Sequence, residues 1–220
     1  MDVRVREPLR SVKQGDANAV AGRSRPTELT GGAPGADEAL VLAAKAGNAA
    51  AFGELYERYR DPIYRYCLAR TGTSHDAEDL TSDVFVKALQ SIERYQERGL
   101  PFVAFLYRIA RNAAIDRSRT LKQPLSVDQL VTEPRSGQNV EAEAAFAVER
   151  DVLMAALTRL KPEHRDVIVM RFIEGYGAIE VAKVLNKTEG AVRTLQHRAI
   201  DRLRKEFDNA ERAAARKARS

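Results

Sequence analysis

From about residue 37 onward, apolar positions recur at helical spacing, so the chain reads as a succession of helices. The clearest is residues 102–119, FVAFLYRIARNAAIDRSR. At 100° per residue, Phe102, Phe105, Leu106, Ile109 and Ala113 share one face. Arg108, Asn112 and Arg119 line the other, with Arg111 beside them and Ile115 as the interruption. Upstream, residues 39–47 suit a short helix ending at glycine. The run AFGELYERYRDPIYRYCLART then carries a long stripe through Phe52, Leu55, Tyr56, Tyr59, Ile63, Tyr66 and Cys67. Pro62 falls inside it and should start a new turn or kink the helix. A third helix is expected from Asp76 to about Ser91, with Ser74 or Asp76 as its N-cap. Its Ala77, Leu80, Val84 and Ala88 face a core, and Asp76, Asp79, Asp83, Lys87 and Gln90 form an opposite, mostly acidic stripe.

Between these helices, residues 94–101 (RYQERGLP) read as a turn loop that sets Tyr95 and Arg98 next to the polar row of residues 102–119. The pattern is then lost from residue 120 to about 143, where two prolines, a glycine and net negative charge suggest an interdomain linker. A second helical unit begins near Ala144, with Phe146, Leu153, Leu157 and Leu160 in one stripe and Pro162 in the first turn of the next helix. After Gly175, residues 178–185 form a short helix and Asn186-Lys187 a tight turn in which asparagine takes the left-handed conformation. Thr188 then caps a longer basic helix, giving a helix-turn-helix pattern. Val192, Leu195, Ala199 and Leu203 pack inward, while Arg193, Thr194, His197 and Arg198 point outward near the end that enters a major groove. The expected fold is therefore all-α, two small helical domains joined by a flexible linker.

Charge sharpens this picture. The 220 residues carry a net charge of +5, with a pI near 9.4 and a mean hydropathy of −0.40, which suits a soluble protein with an acidic partner. From Arg193 onward there are nine Lys or Arg against four acids, an excess as large as that of the whole chain. The single Cys67 excludes an internal disulfide and a cysteine-based zinc finger, and its apolar neighbours make it a buried small side chain. No run approaches the roughly 20 apolar residues of a membrane span, and the N-terminus lacks the apolar core of a secretory signal. A cytoplasmic protein is expected. Residues 1–36, with Gly, Pro, Ser and mixed charges but no periodicity, read as a disordered tail.

The candidate chemistry is recognition rather than catalysis. The carboxylates of residues 76–83 are spread along one helix, with no histidine or cysteine converging on them and no glycine-rich phosphate loop nearby. His75, His164 and His197 are too scattered for a metal site, and no cofactor is expected. Guanidinium groups fork onto phosphates, asparagine can pair two edges of a base, and a tyrosine among them can stack.

Taken together, four runs resemble a bacterial RNA polymerase sigma factor of the extracytoplasmic-function type. They are AFGELYERYRDPIYRYCLART, DAEDLTSDVFVKAL, FVAFLYRIARNAAIDRSR and LKPEHRDVIVMRFIEGYGAIEVAKVLNKTEGAVRTLQHRAIDRLR, in the family's order over most of residues 50–205. The resemblance implies a domain for core polymerase and the promoter −10 element over 37–119, a linker over 120–145, a −35 helix-turn-helix domain over 146–207 and a basic tail over 208–220. It implies that Asp76, Glu78, Asp79, Asp83 and Lys87 dock on the clamp helices of the polymerase's largest subunit. Tyr95, Arg98, Arg108, Arg111, Asn112, Asp116 and Arg119 would meet −10 DNA, capture a flipped base and help open the duplex, and Arg193, Thr194, His197 and Arg198 would read the −35 element. Such a protein has no catalytic activity of its own, is a monomer when free, does not insert into the membrane and is commonly held inactive by an anti-sigma factor. The sequence departs from the family at Phe105, where a Trp is usual, at Gly177, where a Ser or Thr cap is usual, and in a loop about one residue longer at RYQERGLPF. The alternative reading is a stand-alone helix-turn-helix regulator.

Overall fold

The computed structural model describes residues 36–96, 101–120 and 152–217, and every regular element among them is helical. The N-terminal tail, residues 97–100 with Arg98, the stretch 121–151 with Phe146, and residues 218–220 lie outside the described residues.

The first group contains α1 (Ala36–Lys45), α2 (Ala49–Thr71), α3 (Ser74–Ser91), a 3-10 turn (Ile92–Arg94) and α4 (Phe102–Thr120). Local chemistry fixes the ends of these helices. Asn48 caps α2, its Oδ1 accepting from the amides of Ala50 and Ala51 at 3.0 and 3.2 Å. Gly72 ends the helix at φ 85°, a left-handed conformation that glycine adopts without a Cβ clash, and its amide reaches the Leu68 carbonyl. The helix runs on through Pro62 as one element, so the expected break there does not occur. Proline removes one amide from the ladder, but Ile63 on one side of it is wholly buried, and packing holds the turn. The cap of α3 is Thr73, one residue before the two candidates: its Oγ1 accepts from the Asp76 amide at 3.2 Å and donates to the Asp76 carboxylate at 2.7 Å.

Leu55, Ile63, Leu80, Val84 and Leu106 interlock where α2, α3 and α4 meet, all 1 % exposed or less. An aromatic cluster closes one end, Tyr95 meeting Phe102 edge-on at 5.6 Å and Phe105 at 4.9 Å. Because Tyr95 is buried there, it anchors the loop that follows rather than offering a ring to solvent.

The second group contains α5 (helical over the described residues 152–158), α6 (Pro162–Ile168), a π-type turn (Val169–Ile173), α7 (Ala178–Leu185) and α8 (Glu189–Lys217). Asn186 takes φ 53° and ψ 50° in the turn between α7 and α8, and Thr188 Oγ1 accepts from the Ala191 amide at 3.2 Å, as the sequence leads one to expect. Gly177 starts α7 with only half of a capping box. The Glu180 carboxylate accepts from its amide at 2.6 Å, but glycine has no side chain to answer. Val192 and Ala199 of α8 are wholly buried, with Leu195 and Leu203 half-buried beside them. At about 1.5 Å per residue, the 29 residues of α8 extend for about 43 Å.

The two groups pack against each other, α7 on α4 and α6 on α2. This explains why α4 buries more than its predicted stripe. Val103, Ala104, Tyr107, Ala110 and Ala114 are buried as well as Phe102, Leu106 and Ala113.

Candidate polymerase and DNA surfaces

The outward face of α3 is exposed at Glu78, Asp79, Asp83, Lys87 and Gln90. Two large apolar side chains share that solvent-facing side, Val86 at 53 % and Leu89 at 52 % exposure. The sequence reading passed over both, although apolar residues off the core stripe are the signal that marks such a face. Asp76 differs from its neighbours. It caps its own helix turn with Thr73 and pairs with Arg117 of α4, and the Thr73 hydroxyl, with Arg117 behind it, holds its carboxyl below the usual range. Arg117 also lies 3.8 Å from Asp79, so it ties α4 to the start of α3.

On α4, Arg108, Asn112, Asp116 and Arg119 are exposed along one side, with Arg119 4.0 Å from Asp116. Arg111 lies among them in sequence but its Nε donates to Asp166 of α6 at 3.3 Å. Tyr95, read as a base-stacking ring, is instead packed between Phe102 and Phe105, and Lys45 Nζ donates to its carbonyl at 2.8 Å. That lysine was not singled out by sequence, because nothing in the local pattern of α1 points to a chain segment fifty residues away. Arg98 lies outside the described residues.

On α8, Arg193, Thr194, His197 and Arg198 are all exposed in the first turns. Arg193 makes a two-pronged contact with Glu189 at 3.0 and 2.6 Å, one turn back along its own helix. Behind this face, Arg171 Nε donates to Gln196 Oε1 at 3.0 Å and its guanidinium also reaches the Tyr176 carbonyl, fixing α8 to the π-type turn.

An acidic, partly apolar helix face and two separate basic helices make up a protein with several macromolecular contacts rather than a reaction centre. Among the described residues there is no cluster of His, Cys, Asp or Glu that could hold a metal ion, and no helix is long and apolar enough to cross a membrane.

Comparison with known proteins places these surfaces. Residues 55–123 match the model of sigma-70 region 2, and residues 156–205 match that of sigma-70 region 4. The chain belongs to the sigma-70 family. Within it, the relatives are ECF RNA polymerase sigma factors, and this sigma factor is of that type. It is 36% identical to BldN of Streptomyces coelicolor over 73% of this chain and 62% of that protein, so the match spans less than two thirds of BldN. It is 34% identical to SigD of Mycobacterium tuberculosis over 77% of this chain and 83% of the relative. Among solved structures, CnrH in complex with the cytosolic domain of CnrY aligns with a TM-score of 0.58 at 26% identity, over 79% of this sigma factor and 97% of CnrH. The RpoE–NepR complex of Bartonella quintana aligns at 0.55 and 19% identity over 71% and 96%, a likeness of fold. These relatives favour an alternative sigma factor over a stand-alone regulator.

Proposed function

We infer that this sigma factor binds core RNA polymerase, brings it to promoters through a −10 and a −35 element, and assists opening of the duplex. One observation carries the reading: two exposed basic helix faces, on α4 and α8, stand on separate sequence regions of one chain that also presents the acidic and apolar face of α3. Each surface then has one partner. Asp79, Asp83 and Lys87, with Glu78 beside them and Val86 and Leu89 between, suit a basic and apolar helical surface of the polymerase, the clamp helices. Arg108, Asn112, Asp116 and Arg119, with Arg98 and, once released, Arg111, suit −10 DNA. Tyr95 and Asp76 act one step back, as the loop's anchor and as part of the α3–α4 tie. Arg193, Thr194, His197 and Arg198 suit base edges and phosphates of the −35 element. Flipping a base out costs a few kcal/mol, and a row of guanidinium and amide donors can offset that. The chain supplies contacts, and the polymerase supplies the chemistry.

Two finer points belong to the same reading. The domain limits are taken as 37–119 and 146–207, joined by 120–145, with a cytoplasmic location. An anti-sigma partner is supported by CnrH and RpoE having been solved with CnrY and NepR respectively.

The test is run-off transcription with purified bacterial core polymerase on a promoter library, with and without this protein. Start sites that depend on the protein are expected, sharing two upstream motifs. Asp79→Arg together with Asp83→Arg should weaken core binding at least about tenfold, like-charge contacts costing 1.4 kcal/mol per decade of affinity, and leave the thermal melt unchanged because both side chains are exposed. Absence of both transcription and core binding would return the chain to the class of stand-alone DNA-binding regulators.

A further inference from the structure

Asp166 is the most enclosed carboxylate in the protein, its side chain 1% exposed. Burying a carboxylate costs several kcal/mol unless donors surround it. The donors recorded for it all come from the other helical group. Tyr66 Oη donates at 2.8 Å and Arg70 at 3.2 Å to one oxygen, and Arg111 at 3.3 Å to the other. None lies in its own group among the described residues, so the 152–217 fold by itself gives this carboxylate no reason to be there. Around it the contact is polar throughout. Arg165 donates to the Arg70 carbonyl at 3.0 Å, Arg65 grips Glu174 with two bonds at 2.8 and 2.7 Å, and Tyr107 meets Tyr176 edge-on at 5.7 Å. An interface built from ion pairs and hydroxyls separates at low cost, because water can solvate each member afterwards; contacts between domains of one chain resemble transient interfaces for this reason.

We propose that this contact is a reversible latch: the −35 domain holds the −10 domain closed through Asp166, and Arg111 belongs either to Asp166 or to DNA. The latch rests on the promoter reading above for its purpose. Elements centred near −10 and −35 lie about 25 base pairs apart, or about 85 Å at about 3.4 Å per pair. In the closed form the helix-turn-helix packs directly on α4, which carries the −10 residues, and the two sets cannot reach both elements. The 31 residues 121–151, at about 3.3–3.6 Å each when extended, reach about 100–110 Å, which covers that span once the latch is open. Arg111 has one guanidinium, 28% exposed in the closed form. Opening delivers it to the row of Arg108 and Asn112, so DNA binding and latch opening favour each other. The protein therefore carries part of its own restraint, before any anti-sigma partner acts.

The full chain tests this. Dyes placed at Glu54→Cys and Asn209→Cys, both exposed positions, report on the separation of α2 from α8, and the buried Cys67 stays unlabelled. Wild type is expected to show high energy transfer, and Asp166→Asn to raise the low-transfer population by about 10- to 100-fold, the factor for losing a hydrogen-bonded charge. Helix content followed by circular dichroism checks that the variant folds. Should it not, Arg65→Gln, at a half-exposed rim position, gives the same change at smaller size. A labelled 20-nucleotide oligo(dT) at low salt then reads the DNA side. Asp166→Asn should bind it several-fold more tightly than Glu57→Gln, an exposed substitution of equal charge change, and Arg111→Ala should erase that gain. Low transfer in the wild type, or unchanged transfer in both folded variants, overturns the latch. Opening without a gain in oligonucleotide binding leaves the latch standing and removes Arg111 from the DNA-binding set.

Discussion

Helices α4 and α8 have the same outward grammar, arginines at helical spacing opposite an apolar stripe, yet the fold treats them differently. On α8 the recorded ion pairs stay within the helix: Arg193 with Glu189, Arg202 with Glu206 and Arg204 with Asp201. On α4 two arginines leave their helix, Arg111 for Asp166 and Arg117 for Asp76 and Asp79. An exposed pair one turn apart is worth about 0.3–0.5 kcal/mol, and DNA phosphates can displace it without disturbing the fold. An arginine that bridges two elements must give up structure before it can serve a ligand. So α8 is built as a ready reading surface, and α4 as one whose availability depends on what packs against it.

The largest expected effect tests the buried side of that contrast. Leu106 lies wholly buried where α4 meets the other helices, whereas Leu195 of α8 is half-buried. Leu106→Ala should cost about 2–5 kcal/mol, the range for deleting a buried leucine side chain, and Leu195→Ala clearly less, read by urea denaturation. Equal losses would mean that α8 is as deeply embedded as α4, and the comparison would fail at its first step. Next comes the ligand side. Arg193→Ala should cost about 1–3 kcal/mol of −35 discrimination if it reads a base edge, with stability nearly unchanged, because only Glu189 loses a partner. A loss spread evenly over all sequences would make it a phosphate contact. Smaller again is the tie between helices: Arg117→Ala should lower stability by about 0.5–1 kcal/mol, its side chain being only partly exposed, and more than Arg202→Ala on α8, measured by the same titration.

How far the sequence goes is clear from the same two helices. The α8 reading needed only periodicity and turn chemistry, and Asn186, Thr188, Val192 and Ala199 fall where those rules put them, because a helix-turn-helix is specified by contacts close along the chain. The wheel for α4 found one buried face, through Phe102, Leu106 and Ala113, but missed Tyr107 and Ala110. Their burial comes from residues some seventy positions later, which no local pattern encodes. Tyr95 shows the same limit. An aromatic beside arginines looks like a stacking platform, and only the placement of Phe102 and Phe105 reveals an internal cluster. Composition also could not separate Asp76 from Asp79 and Asp83, since all three share one stripe. A threonine one position before the expected cap, and Arg117 arriving from α4, give Asp76 a structural task.

That task yields the smallest effect. Hydrogen bonding from Thr73, followed by the Arg117 charge, lowers the Asp76 pKa from its model value of 3.8. A carboxyl whose folded pKa is depressed binds its proton more weakly in the native state than in the unfolded chain. Its stabilisation is therefore fully present above about pH 4–5 and is lost as pH falls through the lower, folded value. Asp76→Asn should flatten the acid limb of the stability curve below about pH 4 and shift the neutral plateau down by less than about 1 kcal/mol, since the side chain is about a third exposed and solvent screens the pair. The expected pH dependence belongs to the α3–α4 tie alone. If Glu189→Gln on α8 changed the acid limb by the same amount, ion pairs within a helix and between helices would be energetically alike here. The two arginine faces would then differ only in geometry, and not in how firmly the fold holds them.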